Sequence, residues 1–368
     1  MCSTRVALLV FAAALIACNE PRPARSDAPI DVVIDASVDA AIDAAIDAQV
    51  DAQVDAAIDA FAPDAPSSSP SCAGGATTLL DVTPKQLASI KRAGDVLYAS
   101  AYLYDSMTVS APVVYAVDLM TGQTIGMPHA TNAAVALYAS GDAVYGPEYI
   151  ENGTIWRFRP GMAPEALVTQ RPYPGPVAAD ESYVYWVEAT SGANDAVKRR
   201  LIAGGPIENI MTCTDVYELL LDGASLYCVG FTGITWGLKA GGSIPQGISM
   251  PSTYPIFTAL IDSGVLYYVD FGVYPELYAV NLFGSSAALV KREPEIGRCN
   301  GLETSRDYYY TVDVSRGIRR IHRGDLTTEL IVPSFIVAGD PVLWNDQLYY
   351  MQGNVEAAGL YSVQHCAN

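Results

Sequence analysis

The residues able to do chemistry are few and scattered. His129, His322 and His365 are the only histidines, and no two are near each other in sequence. No His-Glu-x-x-His, paired Cys-x-x-Cys or phosphate-loop pattern occurs, and the serine-hydrolase elbow Gly-x-Ser-x-Gly is missing as well. Each histidine is therefore read as structural, and no catalytic, metal-ligating or cofactor-binding residue is expected. Basic residues cluster at Lys198-Arg199-Arg200 and at Arg319-Arg320 with Arg323. These read as charged strand faces, the alternative being a pair of cationic strips for an acidic glycan.

The clearest chemical signal is a cysteine. Arg5 is the only charge in the first 18 residues, and Val6 to Ala17 form an apolar run that stops at Cys18. The run is too short for a membrane span and reads as an export signal. Leu15-Ile16-Ala17-Cys18 resembles the lipobox of bacterial lipoproteins, which implies that Cys18 is lipidated and becomes the mature N-terminus. Ile16 departs from the usual small residue, and cleavage after Ala17 without lipidation is the competing reading. Asn19 in the following position points to the outer membrane under the enteric sorting rule, with the face left open.

From Asp27 to Asp59 aspartate recurs at every fourth residue, nine in succession, mostly within Ile/Val-Asp-Ala. As a helix this stretch would fail, because a four-residue step overshoots the turn by about 40° and its apolar stripe would spiral. Aspartates at i and i+4 would also repel by roughly 0.2–0.5 kcal/mol per pair. Residues 19–71 are accordingly expected to be a disordered acidic tether about 40 Å or more in reach. Ten aspartates and Glu20 against Arg22 and Arg25 give this tether a charge of −9; with Arg5 set aside, −11 of the chain's −19 falls to residues 72–368. So acidic a globular part disfavours nucleic acid and anionic lipid as partners.

Residues 72–368 carry a repeat. A hydrophobic residue followed by tyrosine, with an acidic residue three or five positions upstream, recurs at Tyr98, Tyr145, Tyr185, Tyr227, Tyr267, Tyr310 and Tyr349. Spacings of 47, 40, 42, 40, 43 and 39 residues are a signature of propellers and solenoids. Each unit parses into four short strands. In the fifth these are Ile256 to Ile261, Val265 to Asp270, Glu276 to Leu282 and Ser286 to Val290, with Gly, Asp and Ser at the turns. The expectation is an all-β propeller of seven four-stranded blades, six or eight being the alternatives. The tyrosines are assigned to second strands and to packing between blades, and the acidic residues to hairpins.

The seventh unit is one strand short, and Thr77 to Val82 is a strand without a unit. An N-terminal strand that completes the last blade would close the ring. Closure would bring Cys72 and Cys366 to one blade, where a disulfide is expected in an oxidising compartment. Cys213 and Cys228 would pair only if the entry to the intervening strand curls back; Cys299 is left unassigned, and Cys2 leaves with the signal.

Asp180 followed by Tyr183-Val184-Tyr185-Trp186, with Val197 to Leu201 and Gly204-Gly205, resembles the repeats of YWTD and TolB-like propellers, particularly the tyrosine-rich repeats of envelope lipoproteins. Val187 and Glu188 replace the threonine and aspartate usual in that repeat. The resemblance implies a fold and no activity. From these readings the chain is expected to be a monomeric, membrane-anchored lipoprotein of the cell envelope, without cofactor, that binds or scaffolds a protein or glycan partner at one propeller face. The competing expectations are a metal-dependent hydrolase or lactonase and an outer-membrane assembly factor.

Overall fold

The computed structural model describes residues 77–364, except for 83–85, 106–107, 127, 133–135, 190–193, 232, 243–244, 249, 251–255, 271–275, 283–286, 293–298, 314–316, 334–336 and 355–356. Among the described residues there are 28 strands and no helix, and the strands form seven antiparallel sheets of four. The proposed signal and tether lie outside them.

The strand before the first unit is β1 (Thr77–Asp81). Blade 1 holds β2 (Gln86–Ala93), β3 (Val96–Asp105), β4 (Thr108–Asp118) and β5 (His129–Ala130). Blade 2 holds β6 (Tyr138–Ser140), β7 (Ala143–Pro147), β8 (Gly153–Phe158) and β9 (Glu165–Arg171). Blade 3 holds β10 (Pro174–Ala179), β11 (Tyr183–Glu188), β12 (Asn194–Leu201) and β13 (Glu208–Thr214). Blade 4 holds β14 (Val216–Asp222), β15 (Ser225–Gly230), β16 (Gly233–Leu238) and β17 (Gln246–Ile248). Blade 5 holds β18 (Ile256–Asp262), β19 (Val265–Asp270), β20 (Glu276–Asn281) and β21 (Ala287–Arg292). Blade 6 holds β22 (Cys299–Thr304), β23 (Tyr308–Asp313), β24 (Gly317–His322) and β25 (Thr328–Val332). Blade 7 holds β26 (Val337–Trp344), β27 (Gln347–Asn354) and β28 (Ala357–Gln364), and its fourth strand is β1.

The first strands β2, β6, β10, β14, β18, β22 and β26 contact one another in that order, and β26 returns to β2. They form the wall of a central channel. Closure follows the expected route: β1 pairs with β28, Thr77 opposite Ser362 and Asp81 opposite Gly359.

The seven repeated tyrosines all lie on second strands and are all buried, between 0% and 7% exposed. Blade faces pack through them. Val342, Tyr349, Met351 and Leu360 of blade 7 share a core with Ile90, Leu97, Ala99 and Val117 of blade 1, so the join between chain ends is as apolar as any other seam. Each such side chain contributes about 1.5–3 kcal/mol when removed from water. The acidic residues mark hairpins: Gly94-Asp95 is a two-residue loop between Ala93 and Val96, with Gly94 at φ 57°. In blade 3 the Asp180 carboxylate accepts the N–H groups of Ser182 and Tyr183 at 3.0 and 2.9 Å.

In blades 1 and 3 to 7 the first strand carries a register slip against the second. Such bulges re-aim the side chains beside them. Here they sit on the strands that line the channel.

Candidate functional site in the central channel

Counting back from the repeated tyrosines places the channel residues. The register sets Lys91 opposite Tyr98, Tyr138 opposite Tyr145 and Glu303 opposite Tyr310, each seven residues upstream. Ser89, Glu218, Thr258 and Asp340 stand nine residues upstream of their own tyrosines. Chain segments up to 249 residues apart are thereby brought together.

Asp340 is the hub. Its Oδ2 accepts the Lys91 ammonium of blade 1 at 2.7 Å, and its Oδ1 accepts the Thr258 hydroxyl of blade 5 at 3.1 Å and the Leu302 N–H of blade 6 at 3.2 Å. One carboxylate therefore links blade 7 to three others. A bulge makes this possible: the register slips between Ala338 and Val342, with Gly339 at φ 72°. Gly301 on β22 lets the bulge approach, since a Cβ there would lie 2.7 Å from the Asp340 Cα. Glu218 accepts the Ala259 N–H at 3.3 Å, joining blades 4 and 5, and Glu303 accepts the Thr304 N–H at 2.9 Å.

The Lys91 and Asp340 side chains keep 23% and 25% of their surface open to solvent. Burial alone would lower the Lys91 ammonium, but Asp340, with Glu218 and Glu303 nearby, holds its pKa above the ordinary lysine value. Burial, and then the Asp340 charge, push Glu218 up to about 8 against the pull of Lys91. Burial lifts Glu303 to about 7, opposed by the Thr304 N–H and Lys91. Burial and the same carboxylates raise the Tyr138 and Tyr217 phenols above their ordinary value. The group can exchange protons near neutral pH and can clasp blades. Among the described residues no three His, Cys, Asp or Glu side chains are placed to hold a metal ion.

The basic clusters lie elsewhere, in rows running outward across the sheets. Tyr145, Arg157 and Glu165 stand side by side on β7, β8 and β9, and Tyr185, Arg199, Glu208 and Tyr310, Arg320, Glu329 repeat the row in blades 3 and 6. Each arginine pairs with its glutamate at 2.5–2.6 Å. Arg199 and Arg320 also lie over the Tyr183 and Tyr308 rings, at 4.5 and 4.7 Å. Lys198 meets Glu188 at 3.7 Å, Arg200 donates to the Leu167 carbonyl, and Arg323 pairs with Asp262 at 2.7 Å. These cations serve the neighbouring carboxylates and backbone, as charged strand faces do.

A second acidic series escaped the sequence reading: Glu148, Glu188, Asp270 and Asp313 each stand three residues after a repeated tyrosine. Glu148, Glu188 and Asp270 are buried. Glu148 accepts the Asn132 and Thr154 N–H groups, Glu188 takes the Trp186 indole N–H and pairs with Arg171 at 2.6 Å, and Asp270 accepts the Glu276 N–H. Glu148 and Asp270 tie the turn between second and third strands of their blades, and Glu188 ties blade 3 to Arg171 of blade 2.

Cys213 and Cys228 form a disulfide, with Cα atoms 6.4 Å apart. Cys213 belongs to the last strand of blade 3, and the chain reverses at Asp215, φ 48°, before blade 4 begins. That curl supplies the condition the pairing required, and the bond staples two blades. The expected Cys72 and Cys366 disulfide and the lipidation site Cys18 lie outside the described residues, as does His365. His129 packs on Trp156 and Phe158, with ring centroids 4.5 and 5.7 Å away, and His322 pairs with Asp325 at 2.9 Å; the two belong to different blades. The His129 ring also borders a cleft of about 320 Å³ between blades 1 and 2, with Tyr98, Tyr115, Phe158, Ile125 and Met162.

No family model matches the chain, and no curated protein matches it. Solved structures do. The β-propeller domain of the Trilobed protease from Pyrococcus furiosus is 10% identical, with a TM-score of 0.56 over 76% of this chain and 95% of that one. The computationally designed Ika8 protein is likewise 10% identical, with a TM-score of 0.51 over 76% of this chain and 96% of that one. The protease domain is described as having an open velcro topology, whereas here β1 locks the last blade. At such identity the likeness speaks for the fold alone: residues 77–364 form a seven-bladed β-propeller closed by their own first strand.

Proposed function

We propose that this propeller is a non-enzymatic binding or scaffolding module of the cell envelope, anchored in a membrane through lipidated Cys18 and presenting one face to a protein or glycan partner. One observation carries the reading. The side chains that converge from several blades are engaged with one another, Lys91 with Asp340 and Asp340 with Thr258 and the Leu302 N–H. Such a set ties four blades into one frame on which a binding face can be presented. The acidic tether of residues 19–71 would hold that frame off the lipid surface.

Two measurements test this. Growth with labelled palmitate should label the chain, and Cys18→Ala should abolish the label and release the protein from membranes; an unlabelled, soluble wild-type chain contradicts the anchoring. Affinity capture from detergent-solubilised envelope should recover a specific partner, or bound glycan, above a control with a scrambled surface. Recovery equal to the control contradicts the binding role. A stoichiometric Ca²⁺ or Zn²⁺ in the purified chain would favour the hydrolase instead.

A further inference from the structure

At the end of the ring where second strands finish and first strands begin, two tyrosines stand out into solvent. Tyr149 and Tyr173 are each 38% exposed, with ring centroids 5.7 Å apart and planes inclined by 56°. All seven repeated tyrosines are buried, whereas more than a third of each of these two is open to solvent. Neither phenol has a hydrogen-bond partner among the described residues.

Tyr173 is held in an unfavourable conformation. Its φ is 45°, in the left-handed region that a bulky residue seldom occupies. The position recurs in the next blade: Tyr173 lies twelve residues before Tyr185, and Asp215, φ 48°, lies twelve before Tyr227. Aspartate tolerates that conformation and tyrosine does not, so the reversal of the chain does not call for a ring. Strain of this kind is kept where the side chain serves a purpose.

The support beneath is firm. Tyr173 N–H donates to the Ile150 carbonyl at 3.0 Å, and the Tyr149 ring lies beside Gly175 at the start of blade 3. Buried Glu148 fixes the loop by accepting the Asn132 and Thr154 N–H groups. The rings are thus presented with little conformational freedom to lose on binding, which favours affinity. In blade 4 the aromatic pair Tyr217 and Phe231, 5.4 Å apart, is less exposed than the pair at the junction of blades 2 and 3.

We propose that Tyr149 and Tyr173 form a platform for neutral hexose units of a glycan, an inference that rests on the binding role above and names its ligand. The C–H groups on a pyranose face carry partial positive charge and suit the negative face of an aromatic ring. Two inclined rings can meet two successive sugar units. The rim is acidic: Glu151 is exposed on the same turn, and Asp195 is near enough to act on the Tyr149 phenol. Carboxylates and phenols bond sugar hydroxyls, while their charge rejects sulfated or uronate chains. A protein partner would need roughly 800 Å² of its own surface covered, far more than two rings provide.

The test is isothermal titration of the full mature chain with cellohexaose, maltohexaose, chitohexaose and dextran sulfate. At least one neutral hexaose should bind, and dextran sulfate should not. Tyr149→Ala and Tyr173→Ala should each weaken binding about tenfold or more. Tyr173→Asn separates binding from folding, because asparagine accepts the left-handed backbone: that chain should unfold at an equal or higher urea concentration and still lose the sugar. Failure of all three neutral hexaoses, binding unchanged in the variants, or preference for dextran sulfate would each overturn the proposal. Envelope capture that succeeds while every hexaose fails would leave the binding role standing and remove only the glycan platform.

Discussion

Lysine or arginine meets carboxylate in two regions of this propeller, with different consequences. In the outward rows, Arg157, Arg199 and Arg320 pair with Glu165, Glu208 and Glu329 on the neighbouring strand of the same blade, and the glutamates are 43%, 44% and 59% exposed. Water screens such pairs and each is worth about 0–1 kcal/mol. In the channel, Lys91 meets Asp340 across the join of blades 1 and 7, with Glu218 and Glu303 near enough to shift its ionisation. Breaking this pair leaves one charge facing the other carboxylates, at a cost up to the lower end of the roughly 3–5 kcal/mol of a fully buried pair, since the two side chains keep 23% and 25% of their surface open. The same chemistry decorates the blades in one place and ties the ring in the other.

Changes in the two regions should therefore differ in size. Lys91→Met should produce the largest loss, about 3 kcal/mol at pH 8 once channel water is allowed for, read as a lower urea midpoint. Gly301→Ala should cost about 2–3 kcal/mol, because the new methyl group drives β22 away from the Asp340 bulge. Cys213→Ser, opening a closure of 15 residues, should cost about 2 kcal/mol, read as a lower urea midpoint. Glu329→Gln, in an outward row, should change stability by less than about 1 kcal/mol. If Glu329→Gln proved as damaging as Lys91→Met, the distinction between rows and channel would be lost.

The fold was legible because every blade spends a buried tyrosine at the same place. Large rings are needed wherever one sheet packs on the next, so the demand recurs with the blade and appears as a period. Closure was legible from the count of strands, Thr77 to Asp81 being the one left over. The channel was much harder to see. Lys91, Glu218, Glu303 and Asp340 come from four blades, and no local pattern joins them; the signal was a polar residue seven or nine places before a repeated tyrosine, on strands that are otherwise largely apolar. Asp340 also depends on a bulge at Gly339, and a two-residue slip is invisible without the partner strand. The pairing of Cys213 with Cys228 stayed conditional because the reversal at Asp215 uses no glycine or proline to announce it. The acids three places after the tyrosines were overlooked for another reason: only four blades carry them, and Glu stands in for Asp in two.

Glu218 and Glu303 hold protons in the folded ring near neutral pH, and urea unfolding at different pH tests this. Glu218 and Glu303 titrate at about 8 and about 7 when folded, against an ordinary value of 4.5. With folded values above unfolded ones, the stabilisation they give is complete below about pH 4.5 and is lost as pH rises through 7 and 8. His129, lowered by burial against the charge of Glu148, has the opposite sign below 6.5 and cancels when two chains are compared. Asp180 and Asp262, where burial is outweighed by hydrogen bonds from Lys239 and Arg323, act below about pH 4 and stay outside the window. The direct measurement is urea unfolding of the full mature chain and of Glu218→Gln from pH 5 to pH 8. The wild type should lose on the order of 1–3 kcal/mol more than the variant across that range. Parallel profiles for the two chains would contradict the account.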